Sequence, residues 1–239
     1  MLLLFSWLKG LDGSPGLSTQ SIELLRTKRT GSDGWKYDIC GITIDAMSIM
    51  KRVKWDHLKQ EPVGYVDLGC GKLSDDLATE ALVIMALGIK SAWKLPVAYF
   101  LTNKITAVLQ KSMLKLVFDT LISVDVIPVS LTLDGTTTNF STIKNFGCNI
   151  DPKNLKPWFD FPSSPLKKIF VFPDPCHMLK LLRNIFGNVK QLKICGEMIN
   201  WKYIEQLHEV QKKEGLRAAN KLSDRHINWQ KQKMKVYAL

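Results

Sequence analysis

WKLPVAYFLTNKITAVLQKSMLKLVFDTLISVDVIPVSLTLD, the stretch from Trp93 to Asp134, reads as strand, helix, strand, and that order decides the fold. Trp93 to Leu101 is apolar and rich in aromatic and branched residues, the composition that suits a pleated, half-buried surface. Ile105, Val108, Leu109, Ser112, Leu116 and Phe118 recur at near-helical spacing, which predicts a crossover helix over 103–123. Val126 to Leu133 is a second β-branched strand, interrupted by Pro128 and ending at Asp134. A connection of this length is long enough for a crossover between strands of one sheet.

Toward the N-terminus, residues 10–16 read as a loop, and Ser18 is placed to cap a short helix through Leu24 and Leu25. After a polar loop at 29–34, Ile39, Ile42, Thr43 and Ile44 predict a strand ending near Asp45. Val53 and Trp55, then Val63, Tyr65 and Val66, flank a polar turn and predict a hairpin that continues the sheet. Leu82 to Ile89 fits a strand by length, yet periodicity cannot distinguish strand from helix in a short, fully apolar run.

Toward the C-terminus, a short helix is expected near 140–146, then a linker holding Pro152, Pro157, Pro162 and Pro165, then a strand from Lys168 to Phe172. Asp174-Pro175 starts a helix: the carboxylate accepts backbone N–H bonds and proline tolerates the first helical position. Met178, Leu181, Leu182 and Ile185 form one face of it, with His177, Lys180 and Asn184 on the other. The whole is an α/β protein, a mixed sheet flanked by helices with a C-terminal helical extension. The organisation read from the pattern is N-terminal helix and loops over 1–34, the sheet domain over 35–190, and the extension over 191–239.

Composition narrows the partners. The 239 residues are 46% hydrophobic, enough for a sizeable core, and 33 Lys and Arg against 22 Asp and Glu give +11. That balance favours an anionic partner such as nucleic acid, though a basic solvated surface without a ligand is equally compatible. From Lys190 onward, eleven Lys or Arg face five Asp or Glu, so +6 of the charge lies there. Five widely spaced cysteines without a CxxC pair indicate neither a zinc finger nor a disulfide framework. The apolar opening Met1 to Leu8 lacks a basic n-region and a cleavage site, and Ala81 to Ile89 is too short to span a bilayer, so no membrane segment is expected.

Asp45 and Asp134 each follow an apolar strand, and two such strands side by side bring both carboxylates to one edge of the sheet. Hard cations take oxygen ligands, and a metal pair there activates water and stabilises the leaving oxygen of a phosphodiester. The competing reading is a turn former or helix cap after each strand. Asp174, His177, Lys180, Arg183 and Asn184 likewise admit two readings, phosphate contact at a helix N-terminus or a structural cap with a satisfied histidine.

Several segments taken in order resemble one family. These are Ile44-Asp45-Ala46-Met47-Ser48, Gly64-Tyr65-Val66-Asp67, Trp93 to Phe100, Leu131-Thr132-Leu133-Asp134-Gly135 with Asn139, and Asp174-Pro175-Cys176-His177-Met178-Leu179-Lys180 with Arg183-Asn184. From about residue 16 to the end, the chain is similar to the RNase H-like domain of P-element transposases and their THAP-domain relatives. The resemblance implies a DDE-type core that cleaves DNA and transfers strands with Mg²⁺ or Mn²⁺, with Asp45 matching the first metal-binding Asp and Asp134 the second. It implies a third ligand, a Glu, beyond an inserted GTP-binding domain. Cys195 to Leu239 resembles the start of that insertion, so the expectation is a fragment that stops before the Glu and to which no GTP contact is assigned. Two departures stand out: Ala46 occupies a position where the family usually has Glu, and no Cys and His set fits the THAP zinc module. DNA as partner, a nuclear location and a homo-oligomer in the complete transposase follow from the resemblance. The alternative is a non-catalytic remnant that binds DNA or protein.

Overall fold

A computed structural model describes residues 13–57, 60–71, 74–161, 164–215, 219, 221–228 and 230. The chain divides into two compact units, one up to Phe172 and one from Pro173.

The first unit is built on a seven-stranded sheet. Its strands are β1 (Gly16–Leu17), β2 (Ile39–Ser48), β5 (Glu80–Gly88), β6 (Lys94–Thr102), β7 (Ile127–Leu133), β8 (Trp158–Phe161) and β9 (Ser164–Pro173), in the spatial order β1-β6-β5-β2-β7-β9-β8. The intervening β3 (Lys54–Asp56) and β4 (Glu61–Val63) pair only with each other. The predicted hairpin therefore exists but does not continue the sheet; its short strands carry mostly exposed residues and offer no apolar face to add to it.

Strand β2 is central, antiparallel to β5 and parallel to β7. The apolar run from Leu82 is thus a strand, settled by pairing on both sides with β2 and β6. Helix α1 (Thr19–Thr30) begins at Ser18, whose hydroxyl accepts the Ser21 N–H, as the capping pattern predicts. Helix α2 (Ala107–Ser123) is the crossover from β6 to β7. Its buried face is Gln110, Met113, Leu114, Val117, Phe118 and Leu121, while Val108 and Leu116 are exposed. A helix apolar on most sides leaves its inner face to be chosen by packing, and here packing chose a stripe rotated from the one the sequence suggests.

Pro128 does not break β7. The strand absorbs it by a bulge: Cys40 pairs with Pro128, but Gly41 pairs with Ser130, leaving Val129 as an extra residue. Proline lacks the N–H that a ladder needs, and a bulge is where a central strand tolerates it.

The core joins Ile22 and Leu25 of α1, Ile42 and Ile44 of β2, Leu82 and Ile84 of β5, the inner face of α2, Leu131 and Leu133 of β7, and Phe159 and Phe161 of β8. Helix α3 (Thr137–Asn145) closes over it with Ile143. The segment expected as a Pro-rich linker thus supplies an edge strand, because Phe159 and Phe161 alternate into the core between flanking prolines. Cys40 and Cys148 are buried free thiols, and burial pushes their pKa values up to about 12 and about 11, so both stay protonated and unreactive.

The second unit starts with α4 (Pro175–Val189), followed by a hairpin of β10 (Gln191–Ile194) and β11 (Glu197–Asn200), α5 (Lys202–Glu214) and α6 (Asp224–Ile227). The extension is therefore not helical throughout. Cys195 and Gly196 both have positive φ, 52° and 89°, the two-residue turn that matches hairpin twist, in a dipeptide that carries no obvious turn signature. Phe186 meets Trp201 edge-on at 5.2 Å and forms the small core of this unit. On α4 most of the expected apolar face is exposed, Leu181, Leu182 and Ile185, with Met178 half-buried, whereas His177, Lys180 and Asn184 of the other face are half-buried, as is Arg183.

Candidate functional site

Asp45 sits within β2, three residues before its end, so it is a strand residue rather than a strand terminator. Asp134 is the first residue after β7. The parallel register pairs Thr43 with Thr132, and two residues further along each strand come Asp45 and Asp134. The bulge sets this alignment. Before it, Ile39 lies opposite Ile127 and Cys40 opposite Pro128; continued unchanged, that register would bring Leu133 level with Asp45. Because side chains alternate between faces, the extra Val129 decides which residue stands beside Asp45.

Both aspartates line one cavity of about 310 Å³, with Glu80 and Lys104 also on its wall. Glu80 opens β5 opposite Ser48, on the strand that flanks β2 on its other side. Lys104 belongs to the β6–α2 turn, where its φ of 57° places it in the left-handed region. Asp45 is exposed and its Oδ1 accepts the Ala46 N–H at 2.9 Å. Asp134 is half-buried, and its Oδ1 accepts both the Thr136 N–H at 3.0 Å and the Asn139 Nδ2–H at 2.6 Å. Thr136 in turn caps α3, so the helix start and the carboxylate are held by one local structure.

The donor set suits a hard cation: two carboxylates, a third on the wall and neighbouring threonine hydroxyls are all oxygen ligands. Among the described residues no group of three or more His, Cys, Asp or Glu is assembled for a metal. A cation held by Asp45 and Asp134 would keep several waters, as Mg²⁺ does readily. Sequence reading singled out the two aspartates but not Glu80, Lys104 or Gln110. The first two reach the cavity only through strand register and a turn. Gln110 did leave a signal, as the one amide on the inner stripe of an apolar helix.

The α4 residues lie in the second unit. Asp174 caps the helix, accepting the Cys176 N–H at 3.0 Å, and its other oxygen accepts from His177 Nδ1. Burial pushes the Asp174 carboxyl up, but the His177 and backbone hydrogen bonds outweigh it and hold the group below its ordinary value near 3.8. A lowered folded value means the cap contributes fully above the ordinary carboxylate range and is lost as pH falls through the folded one. Asp174→Ala is expected to cost about 1 kcal/mol of stability in the second unit. Thermal melts at neutral pH check this, and a loss below a few tenths would show that the cap is dispensable. Arg183 Nη1 donates to the Arg225 carbonyl at 3.3 Å, and burial lowers the guanidinium's pKa. Lys180 is half-buried on the same helix.

Residues 13–147 match the family described as TNP-like, RNase H N-terminal domain, and residues 176–239 match the TNP-like, GTP-binding insertion domain. The chain is similar to the DNA transposase THAP9 of Homo sapiens, 30% identical over 215 residues, covering 89% of this chain and 24% of that protein. It is also similar to the transposable element P transposase of Drosophila melanogaster, 26% identical over 239 residues, covering 98% of this chain and 28% of that protein. The chain thus spans about a quarter of the length of these relatives. Its fold matches a chain of the Drosophila P element transposase strand transfer complex with a TM-score of 0.70 at 23% identity, over 95% of this chain and 46% of that one. No helix among the described residues is long and apolar enough to cross a membrane.

Proposed function

Because the chain belongs to the TNP-like family of P-element-type transposases, with an RNase H-like fold, we propose that it forms the Asp45 and Asp134 side of a metal-dependent site for DNA cleavage and strand transfer. The observation that carries this reading is the placement of the two carboxylates in one cavity, Asp45 within β2 and Asp134 just past the end of the adjacent parallel β7. Asp45 and Asp134 would hold Mg²⁺ or Mn²⁺, which when bound activates water and stabilises the leaving oxygen of a phosphodiester. Lys104 supplies positive charge on the same wall, suited to a phosphate of the DNA backbone. Likeness to two transposases favours this reading over a non-catalytic remnant.

In this proposal the sheet-bearing part is the catalytic scaffold and the C-terminal part belongs to an insertion whose ligand class is a guanine nucleotide, with no residue assigned to it. The α4 residues Asp174, His177 and Arg183 act structurally, as their cap, side-chain pair and carbonyl contact favour. DNA as substrate, assembly with further copies in a complete transposase and work in the nucleus complete the reading.

The test is a Mn²⁺ titration of the chain followed by water relaxation. The wild type is expected to bind weakly, because two carboxylates leave much of the coordination shell to water. Asp45→Ala and Asp134→Ala should each weaken binding by about tenfold or more. Folded variants that bind Mn²⁺ as the wild type does would sink the site.

A further inference from the structure

A line of three buried polar side chains runs from the core to Asp134. Thr142 is 0% exposed, Gln110 2% and Asn139 8%. Thr142 Oγ1 donates to Gln110 Oε1 at 2.6 Å, Gln110 Nε2 donates to Asn139 Oδ1 at 2.6 Å, and Asn139 Nδ2 donates to Asp134 Oδ1 at 2.6 Å. We propose that Gln110 and Asn139 are positioning residues that orient the Asp134 carboxylate, saturating Oδ1 and leaving Oδ2 for the cavity. The inference rests on the reading of Asp45 and Asp134 as cation ligands.

Buried polar groups are costly unless paired, so three amide or hydroxyl groups inside an apolar packing layer call for a reason. Each amide has a donor end and an acceptor end, and the line works in only one sense. The sense is set at the carboxylate end: Asn139 faces Asp134 with its NH₂ group and turns Oδ1 toward Gln110 Nε2, which leaves Gln110 Oε1 to accept from the Thr142 hydroxyl. An ionised carboxylate only accepts, so the last link matches its charge. With the Thr136 N–H, Asp134 Oδ1 receives two donors, and Oδ2 has no hydrogen bond among the described residues. One oxygen is fixed by the protein and the other is presented to the cavity, the arrangement by which partners behind a metal ligand hold its orientation.

Gln110→Glu is the informative variant because it keeps size and reverses one end. Burial favours the protonated form of a carboxyl at this position, so the measurement is made well above the carboxylate range, where the group is ionised. The carboxylate then accepts from both sides, so Asn139 must turn its NH₂ group inward and its oxygen toward Asp134. Two oxygens then oppose each other at the link. Isotope-labelled chain, first without metal, gives side-chain amide resonances for Gln110 and Asn139. In the wild type, Asp134→Ala is expected to move the Asn139 amide protons and, through them, those of Gln110. Titration of the same proteins with Mn²⁺ is expected to show affinity lowered about tenfold in Asn139→Ala and severalfold or more in Gln110→Glu. Ile143→Val, a core change on the same helix outside the line, should keep wild-type affinity and separates orientation from general loosening. Amide protons of Asn139 indifferent to Asp134→Ala overturn the proposal. So does Mn²⁺ affinity unchanged in both polar variants, or lost equally in Ile143→Val. A wild-type chain that binds no Mn²⁺ overturns instead the cation reading, and the metal-free amide measurement still decides whether the line orients Asp134.

Discussion

Phe118→Ala is expected to lower the stability of the sheet-bearing unit by about 3–5 kcal/mol, the range for deleting a buried phenyl ring. Phe118 is fully buried on α2, and its ring lies 6.1 Å from Phe146, 6.1 Å from Phe159 and 6.0 Å from Phe161. Phe146 follows α3 and stacks on Phe159 at 4.4 Å, so one side chain on the crossover helix holds both α3 and the edge strand β8. Each aromatic pair adds roughly 0.5–1.5 kcal/mol beyond burial. Removing the ring leaves a cavity whose lining belongs to three elements, and partial collapse in one direction opens a gap in another. For a unit of this size the melting temperature should fall by roughly 10 °C. Near-ultraviolet circular dichroism against temperature measures it, with Leu116→Ala, an exposed position on the same helix, as the reference expected within about 0.5 kcal/mol of wild type. A Phe118→Ala melt close to that of Leu116→Ala would show that α3 and β8 are held independently of α2. The proposed site depends on the outcome, because α3 carries Asn139 and its cap Thr136 donates its N–H to Asp134.

The sequence made some features readable because single residues have few physical options. Ser18 and Asp174 sit where a side-chain oxygen accepts from a helix start, and both helices begin there. The β-branched run Ile39, Ile42, Thr43 and Ile44 and the length of the segment between β6 and β7 were enough for a strand and a crossover, while the central place of that strand comes from its pairing. Other features depend on partners far along the chain. Phe159 and Phe161 alternate as strand residues do, yet neighbouring prolines give the same segment the appearance of a linker. Cys195-Gly196 turns a hairpin without the usual Asn or Asp. Leu181, Leu182 and Ile185 of α4 have the spacing of a core face, and the structure leaves them exposed, so spacing identified a face but not what lies against it. The site shows the same limit most clearly. Two aspartates beside apolar strands are visible in the chain, whereas their alignment depends on a one-residue bulge at Val129, and a shift of one residue moves a side chain to the opposite face.

Affinity for DNA is expected to be steeply salt-dependent and nearly indifferent to sequence. The chain carries +11, and from Pro173 onward thirteen Lys or Arg stand against six Asp or Glu. Lys51 and Arg52 lie beyond the end of β2 and are exposed, and Lys104 lines the cavity that holds Asp45 and Asp134. Lysine and arginine that neutralise phosphates release condensed counterions, so the logarithm of affinity falls linearly with the logarithm of salt concentration. Contacts to about six to ten phosphates would reduce affinity by about 10³ to 10⁵ between 50 and 200 mM salt. Fluorescence anisotropy of a short labelled duplex across that range gives the slope, and an unrelated duplex of equal length should reproduce it. Changing Lys51 and Arg52 together to Ala should weaken binding to both duplexes alike and flatten the slope by about 2, since each lost phosphate contact removes about one. An unchanged slope would place the DNA path away from Lys51 and Arg52 and would count against a path along the end of β2 in the proposed cleavage reading. Absence of binding at the lowest salt would remove DNA from the ligands of this chain altogether.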